Sequence, residues 1–309
     1  MSEGLQAHEL HGTLEAFRRA LEDTARLQDQ HAEVDRILWK AVLELPAAFV
    51  EDVLRLVGSQ IRWDRLDGIN GRTKLHQAAF AGLLPLVDAC IQRGISVGDK
   101  DAYSRTALHY ATSGGHPEIA SSLLGVGADP AQVDMDGNTP LLLAITEGRI
   151  SCVRILLDYS SASAATIIEP LMSVSNDLIP LSLACQYGHE EVARLLLRKG
   201  AKVIPNSEGL YPQHLAAREG HPEICRLLVA EGGPAAGGKD REDKYNQWTP
   251  LFHAVLGDRP SHVECVRVLV EAGVDVNAMD EYGKTALFYA AYYGVRRALV
   301  ATVECSQAG

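Results

Sequence analysis

Eleven histidines and six cysteines are the side chains through which this 309-residue chain could hold a metal, move a proton or form a disulfide. Their spacing points away from all three. His76, His109 and His214 share one slot of a recurring phrase, and His116, His189, His221 and His262 share another. A histidine that returns with a period serves every copy alike, so hydrogen bonding inside the fold is the expected role. Cys152, Cys225 and Cys265 fall in one matching apolar slot, and Cys185 falls in a different one. No CxxC pair occurs. Helices of neighbouring copies pack about 10 Å apart, beyond the roughly 7 Å between Cα atoms that a disulfide can span. Buried, reduced thiols are expected instead. No Ser/His/Asp grouping, glycine-rich phosphate loop or HExxH stands outside the periodic slots. Neither catalytic residues nor a metal nor any other cofactor is expected.

The phrase runs from an Asp/Asn-Gly turn through Thr-x-Leu-His to paired alanines. Its first copies read Asn70-Gly71-Arg72-Thr73-Lys74-Leu75-His76-Gln77-Ala78-Ala79 and Tyr103-Ser104-Arg105-Thr106-Ala107-Leu108-His109-Tyr110-Ala111. Later copies begin at Thr139-Pro140-Leu141, Ile179-Pro180-Leu181, Tyr211-Pro212-Gln213-His214, Thr249-Pro250-Leu251 and Thr285-Ala286-Leu287. Positions 73, 106, 139, 179, 211, 249 and 285 are separated by 33, 33, 40, 32, 38 and 36 residues.

Each copy must build a helix pair. In the fourth, Leu181–Tyr187 forms a first helix that Gly188 closes, because glycine adopts the left-handed conformation of a C-terminal cap. Glu190–Leu197 forms a second helix, with Val192, Leu195 and Leu196 on one apolar stripe, and Gly200 ends it. The hydroxyl that opens the phrase caps the first helix. Pro140, Pro180, Pro212 and Pro250 sit where an early helical position needs no N–H. Paired small residues such as Ala78-Ala79 and Ala216-Ala217 let helices approach closely.

A period of about 33 with this phrase resembles the ankyrin repeat. The resemblance implies an all-α solenoid of stacked helix-turn-helix units, a fold that binds protein surfaces and does no chemistry of its own. Seven repeats are expected over residues 67–309. Residues 31–66 read as a degenerate capping helix pair, and residues 1–30 as an additional N-terminal helix with Leu10, Leu14, Phe17 and Leu21 on one stripe. Insertions depart from the period at Ser160–Ala165, at Gly232–Lys244 and at Asp258–Pro260. They are expected on surface loops, either beside the binding face, as in many repeat arrays, or as tolerated extra length with no role.

Bulk properties narrow the partners. The net charge of −11 opposes nucleic-acid binding. No run of 18 apolar residues suggests a membrane span, and Met1-Ser2-Glu3-Gly4 opens no secretory signal. A monomer acting in the cytoplasm or nucleus is expected.

Several phrases go beyond a generic repeat. Asp67–Thr73, Pro180–His189, Glu208–Arg218 and Asp243–Phe252 are similar to the ankyrin segment of fungal phosphate-pathway regulators, inhibitors of a cyclin–cyclin-dependent kinase pair. The similarity runs from about Val34 onward. In that family the repeats lie between an SPX domain and a glycerophosphodiesterase-like domain, neither of which is recognisable here. An SPX phosphate site needs clustered lysines, and Lys40 is the one lysine among the first 70 residues. The resemblance therefore implies binding of a cyclin–kinase complex, without phosphate sensing or phosphodiester hydrolysis. A generic ankyrin adaptor or scaffold with another protein partner is the alternative.

In an ankyrin fold the partner meets the turn tips and the exposed side of the first helices. By repeat position that surface includes Arg72, Tyr103, Arg105, Arg218, Tyr245, Trp248, Tyr282, Lys284, Tyr292 and Tyr293, with Phe80 beside them. Tyr, Trp and Arg are favoured interface anchors. Trp248, next to a turn, is expected to face outward as the foremost of them.

Overall fold

The protein is described from a computed structural model. It describes residues 39–40, 42–44, 46–57, 61–64, 66, 70–159, 179–231 and 242–307. The expected helix over residues 1–30, the insertion Ser160–Ala165 and residues 232–241 lie outside these.

Short helices alternate with tight turns. α1 spans Ala47–Val57. Seven helix pairs follow among the described residues, the first helix of each starting directly after the opening slot of the phrase. They are α2 Lys74–Ala81 with α3 Leu84–Gln92, α4 Ala107–Gly114 with α5 Pro117–Gly125, and α6 Pro140–Thr146 with α7 Ile150–Tyr159. Then come α8 Pro180–Gln186 with α9 Glu190–Arg198, α10 Pro212–Glu219 with α11 Pro222–Glu231, α12 Pro250–Val255 with α13 Pro260–Glu271, and α14 Ala286–Tyr292 with α15 Arg296–Gln307. The chain divides into two units, residues 1–140 and 141–309.

The same packing rule holds inside each unit. First helices pack on first helices and second helices on second helices: α2 on α4 and α3 on α5 in the first unit, α8 on α10 on α12 and α11 on α13 on α15 in the second. The core lies between the layers. Leu75, Leu86 and Leu108 fill it in the first unit, and Leu156, Leu196 and Leu251 in the second. The described cysteines, Cys90, Cys152, Cys185, Cys225 and Cys265, are buried free thiols. One pair departs from the expected isolation of thiols in separate repeats. Cys225 and Cys265, on adjacent second helices, reach across the gap into a thiol hydrogen bond that, together with burial, pushes Cys225 well above the ordinary thiol range.

Two sets of histidines join the repeats. The first sits in the opening turn of the first helix. His76 Nδ1 accepts the Thr73 backbone N–H at 2.9 Å, and its Nε2 donates to the Asp99 carbonyl at 3.0 Å. His109 does the same with Thr106, 3.1 Å, and the Asn138 carbonyl, 3.2 Å. The second set stands at the start of the second helix and reaches back one repeat. Nε2 of His116, His189, His221 and His262 meets the carbonyls of Phe80, Thr146, Gln186 and Arg218 at 2.8–3.1 Å. These carbonyls belong to the last turns of first helices, where no intrahelical donor is left. The periodic histidines are structural, as their recurrence implies.

The rings also dictate the glycines. Gly188 closes α8 at φ +80°, and a Cβ there would lie 2.6 Å from the His221 ring. That ring cannot retreat without losing the Gln186 carbonyl. Gly188→Ala therefore combines left-handed strain, about 1–2 kcal/mol, with a broken hydrogen bond worth about 0.5–1.5 kcal/mol. Urea unfolding should show a loss within the sum of these ranges. His76 and His109 supply a pH signature. Burial lowers both from 6.5, against the raising effect of their backbone partners. The unfolded chain thus takes up protons that the folded chain refuses, so stability present above 6.5 falls away as the pH drops below it. The thermal midpoint, followed by circular dichroism, should fall over that interval. The slope should be shallower in His76→Gln/His109→Gln, because glutamine can still complete the helix cap.

Candidate functional site

Between the helix pairs the chain turns over a buried aspartate, and this turn decides which side chains reach the tip. Asp101 Oδ1 accepts the backbone N–H groups of Tyr103 and Arg105, both at 2.9 Å. Asp134 Oδ1 takes those of Asp136 and Asn138, and Asp280 Oδ1 those of Tyr282 and Lys284. Asp243 accepts from Asn246 at 2.8 Å and Asn206 from Leu210 at 2.8 Å. With the turn's inward donors satisfied by one carboxylate, residues at its crest are left pointing at water. Tyr103 is exposed on the second repeat's tip, Tyr245 on the sixth and Tyr282 on the seventh.

In the second, sixth and seventh repeats the second carboxylate oxygen ties the turn to the helix that follows. Tyr110 Oη donates to Asp101 Oδ2 at 2.5 Å, and Tyr289 Oη to Asp280 Oδ2 at 2.6 Å. Burial, then the Asp101 carboxylate, pushes the Tyr110 phenol up to about 12. The hydrogen bond to Asp280 does the same for Tyr289, also to about 12. Asp280 is held below the usual carboxylate range. Burial opposes its ionisation, but the donors from Tyr289, Lys284, Tyr282 and the Trp248 indole outweigh it. His253 Nε2 approaches Asp243 Oδ2 at 3.3 Å in the sixth repeat. Burial opposes ionisation of Asp243 too, and contacts from His253, Asn246 and Trp248 prevail.

In the first unit the expected arginines are engaged within the fold. Arg72 Nε donates to Tyr110 Oη at 3.0 Å, and its guanidinium lies 4.6 Å from the centre of that ring. Arg105 Nε donates to Asp134 Oδ2 at 3.0 Å. Both are half-buried, while Tyr103 and Phe80 remain exposed beside them.

The last two repeats of the second unit gather most of the expected aromatics. Tyr292 and Tyr293 are 72% and 61% exposed and meet edge to face at 5.1 Å between centroids. Phe288 stacks on Tyr292 at 6.0 Å, and Lys284 Nζ stands 4.8 Å over Phe288. Tyr245 and Tyr282 crest the two turns, joined by a backbone hydrogen bond from Glu281 to Asn246. Arg218, on α10, is exposed and pairs with its neighbour Glu219 at 3.2 Å.

Trp248 departs from its expected outward pose. It is half-buried, stacks on Phe252 at 5.7 Å, meets the Tyr289 ring at 5.2 Å and turns its indole toward Asp280, helping to hold that carboxyl ionised. The next repeat covers it, because its helix brings Tyr289 and its turn brings Asp280 against the same ring. Trp248 braces the sixth repeat against the seventh.

Sequence reasoning missed Phe288, Tyr289, Tyr110 and the turn aspartates. The aspartates did carry a signal: Asp101, Asp134 and Asp280 each stand five residues before a threonine that opens the phrase. Phe288 occupies the slot that holds His76, His109 and His214 in other copies, so its aromatic substitution was visible as well. Among the described residues no group of three or more His, Cys, Asp or Glu side chains could hold a metal, and no helix is long and apolar enough to cross a membrane.

Comparison with known proteins fits this geometry. A family model described as "Ankyrin repeats (3 copies)" matches residues 47–134, 75–167, 113–207, 162–236, 181–280 and 214–305. The ankyrin repeat protein nuc-2 of Neurospora crassa is 39% identical over 229 residues, 74% of this chain and 20% of the relative. The phosphate system positive regulatory protein PHO81 of Saccharomyces cerevisiae is 32% identical over 209 residues, 60% of this chain and 18% of the relative. The chain thus spans about a fifth of these relatives. The ankyrin repeat domain of human ASB11 superposes with a TM-score of 0.62 at 26% identity, covering 75% of this chain and 98% of that one.

The brace and the crest should separate in a stability experiment. Trp248→Ala removes the ring contacts to Phe252 and Tyr289 and should lower unfolding free energy by about 2–4 kcal/mol, toward the lower end for a core Trp truncation because the ring is half-buried. Tyr282→Ala removes a side chain that is 69% exposed and should change it by at most about 0.5 kcal/mol. Urea melts of both variants measure the difference.

Proposed function

Because the chain belongs to the ankyrin-repeat family, we propose that it is a non-catalytic protein-binding module whose partner is a cyclin–cyclin-dependent kinase complex in phosphate-responsive regulation. The name of the Saccharomyces cerevisiae relative, a phosphate system positive regulatory protein, supports the phosphate part of this reading. The kinase part follows from the resemblance of Asp243–Phe252 and its companion phrases to the repeats of phosphate-pathway kinase inhibitors. The module acts as a monomer in the cytoplasm or nucleus.

The observation that carries a binding role is the ring array of the last two repeats. Tyr245, Tyr282, Phe288, Tyr292 and Tyr293 all stand exposed within one segment of chain. A patch of large aromatic side chains with a lysine above it matches the composition of interface hot spots. A second reading, an adaptor or scaffold for a different protein, draws on the short span of the match. What the remaining length of those relatives contributes to their role has no counterpart in the matched segment.

Affinity purification with partner identification separates the two. A cyclin and its kinase recovered together support the first reading, and another stable protein partner the second. Tyr282→Ala and Tyr292→Ala should each weaken the recovered complex by about 1–4 kcal/mol, with the thermal midpoint nearly unchanged. Undiminished affinity in both variants would move the binding surface off the ring array.

A further inference from the structure

We propose that the second-helix face of the last two repeats is a docking groove for an acidic peptide segment with apolar side chains, supplied by a partner protein. The groove lies between α13 and α15, which pack against each other, and has a volume of about 770 Å³. Its apolar lining is Val263 of α13 with Val300 and Ala301 of α15. Val300 is 50% exposed, an aliphatic side chain left in water along the groove.

The rim is basic. Arg267 projects from α13, and Arg296 and Arg297 from the first turn of α15; all three are exposed. Glu264 is the single acidic lining residue, and it is already shared by Arg226 at 3.4 Å and Arg267 at 3.8 Å. Among the described residues no carboxylate pairs with Arg296 or Arg297. Three arginines against one glutamate leave two positive charges in excess, in a chain whose net charge is −11. Two of those arginines also stand at the positive end of a 12-residue helix, where cations destabilise the helix and an anion stabilises it.

These features select the occupant. Guanidinium groups pair with carboxylates through two parallel hydrogen bonds. The aliphatic lining requires side chains such as Leu or Phe between the acidic positions, which a nucleic-acid backbone does not carry. The surface belongs to the second helices, whereas the ring array belongs to the turn tips and α14. The two can therefore be occupied independently, and this inference does not rest on the identity of the kinase partner.

The test uses the full chain and a fluorescein-labelled synthetic peptide of alternating Glu and Leu pairs, followed by anisotropy at low salt. A counterpart with Gln in place of Glu serves as the charge control. The Glu peptide should bind, and its affinity should fall about tenfold in Arg296→Gln/Arg297→Gln and again with added salt. The thermal midpoint of that variant should hold or rise, since the substitutions remove cations from a helix N-terminus. Tyr282→Ala should leave peptide affinity unchanged. Equal affinity for the arginine variant, equal binding of the Gln peptide, or loss of binding in Tyr282→Ala would each overturn the proposal.

Discussion

Helices of six to twelve residues cannot satisfy their own backbones, and this shortage governs the whole structure. An α-helix leaves four N–H groups at its start and four carbonyls at its end without partners. In a seven-residue helix such as α8 that is more than half of the backbone N–H and carbonyl groups. Isolated helices of this length are also unstable in water. The missing partners come from the neighbouring repeat. His189, His221 and His262 bond carbonyls of the preceding first helix, and His76 and His109 close their own helix starts while reaching the following turn. No repeat is therefore complete alone, and hydrophobic burial between layers acts on repeats already joined by polar contacts.

The same shortage shapes the exposed surface. Once a buried aspartate has taken the turn's backbone donors, the crest residues have no inward obligation. Their chemistry is then free to vary from copy to copy. The second repeat places Tyr103 there, and the seventh places Tyr282. In the last two repeats the variation reaches into the helix. Phe252 and Phe288 occupy the slot that holds a histidine in the first, second and fifth repeats, and the hydrogen-bonded joint gives way to rings around Trp248 and Tyr289. Aromatic packing inside this region and exposed aromatic rings at its edge have the same origin.

Much of this was legible in the residue pattern because the pattern is local. Thr73 and Thr285 cap their helices through their own side chains, and Pro180, Pro212 and Pro250 stand at helix starts, as a hydroxyl and a missing N–H require. Helices α8 and α9 fall within a residue or two of the expected spans. What the pattern hid depends on a second repeat. Trp248 beside a turn reads as exposed until Asp280 and Tyr289, more than thirty residues later, are laid over it. Arg72 and Arg105 read as interface cations until Tyr110 and Asp134 are seen to hold them. The contact between Cys225 and Cys265 likewise arises from two helices forty residues apart in sequence. A period says which residues are equivalent, and the stack says which of them meet.

The backward-reaching histidines have an evolutionary corollary. Gly188-His189 and Gly220-His221 are equivalent junctions, 32 residues apart. Excising residues 189–220 would leave Gly188 followed by His221, with the ring in register for the Thr146 carbonyl that His189 now meets. An excision of half that length would strand both a donor and an acceptor. The array can accordingly be shortened or extended by whole copies through unequal recombination, with partner choice reassigned at the crests while the joints carry over unchanged.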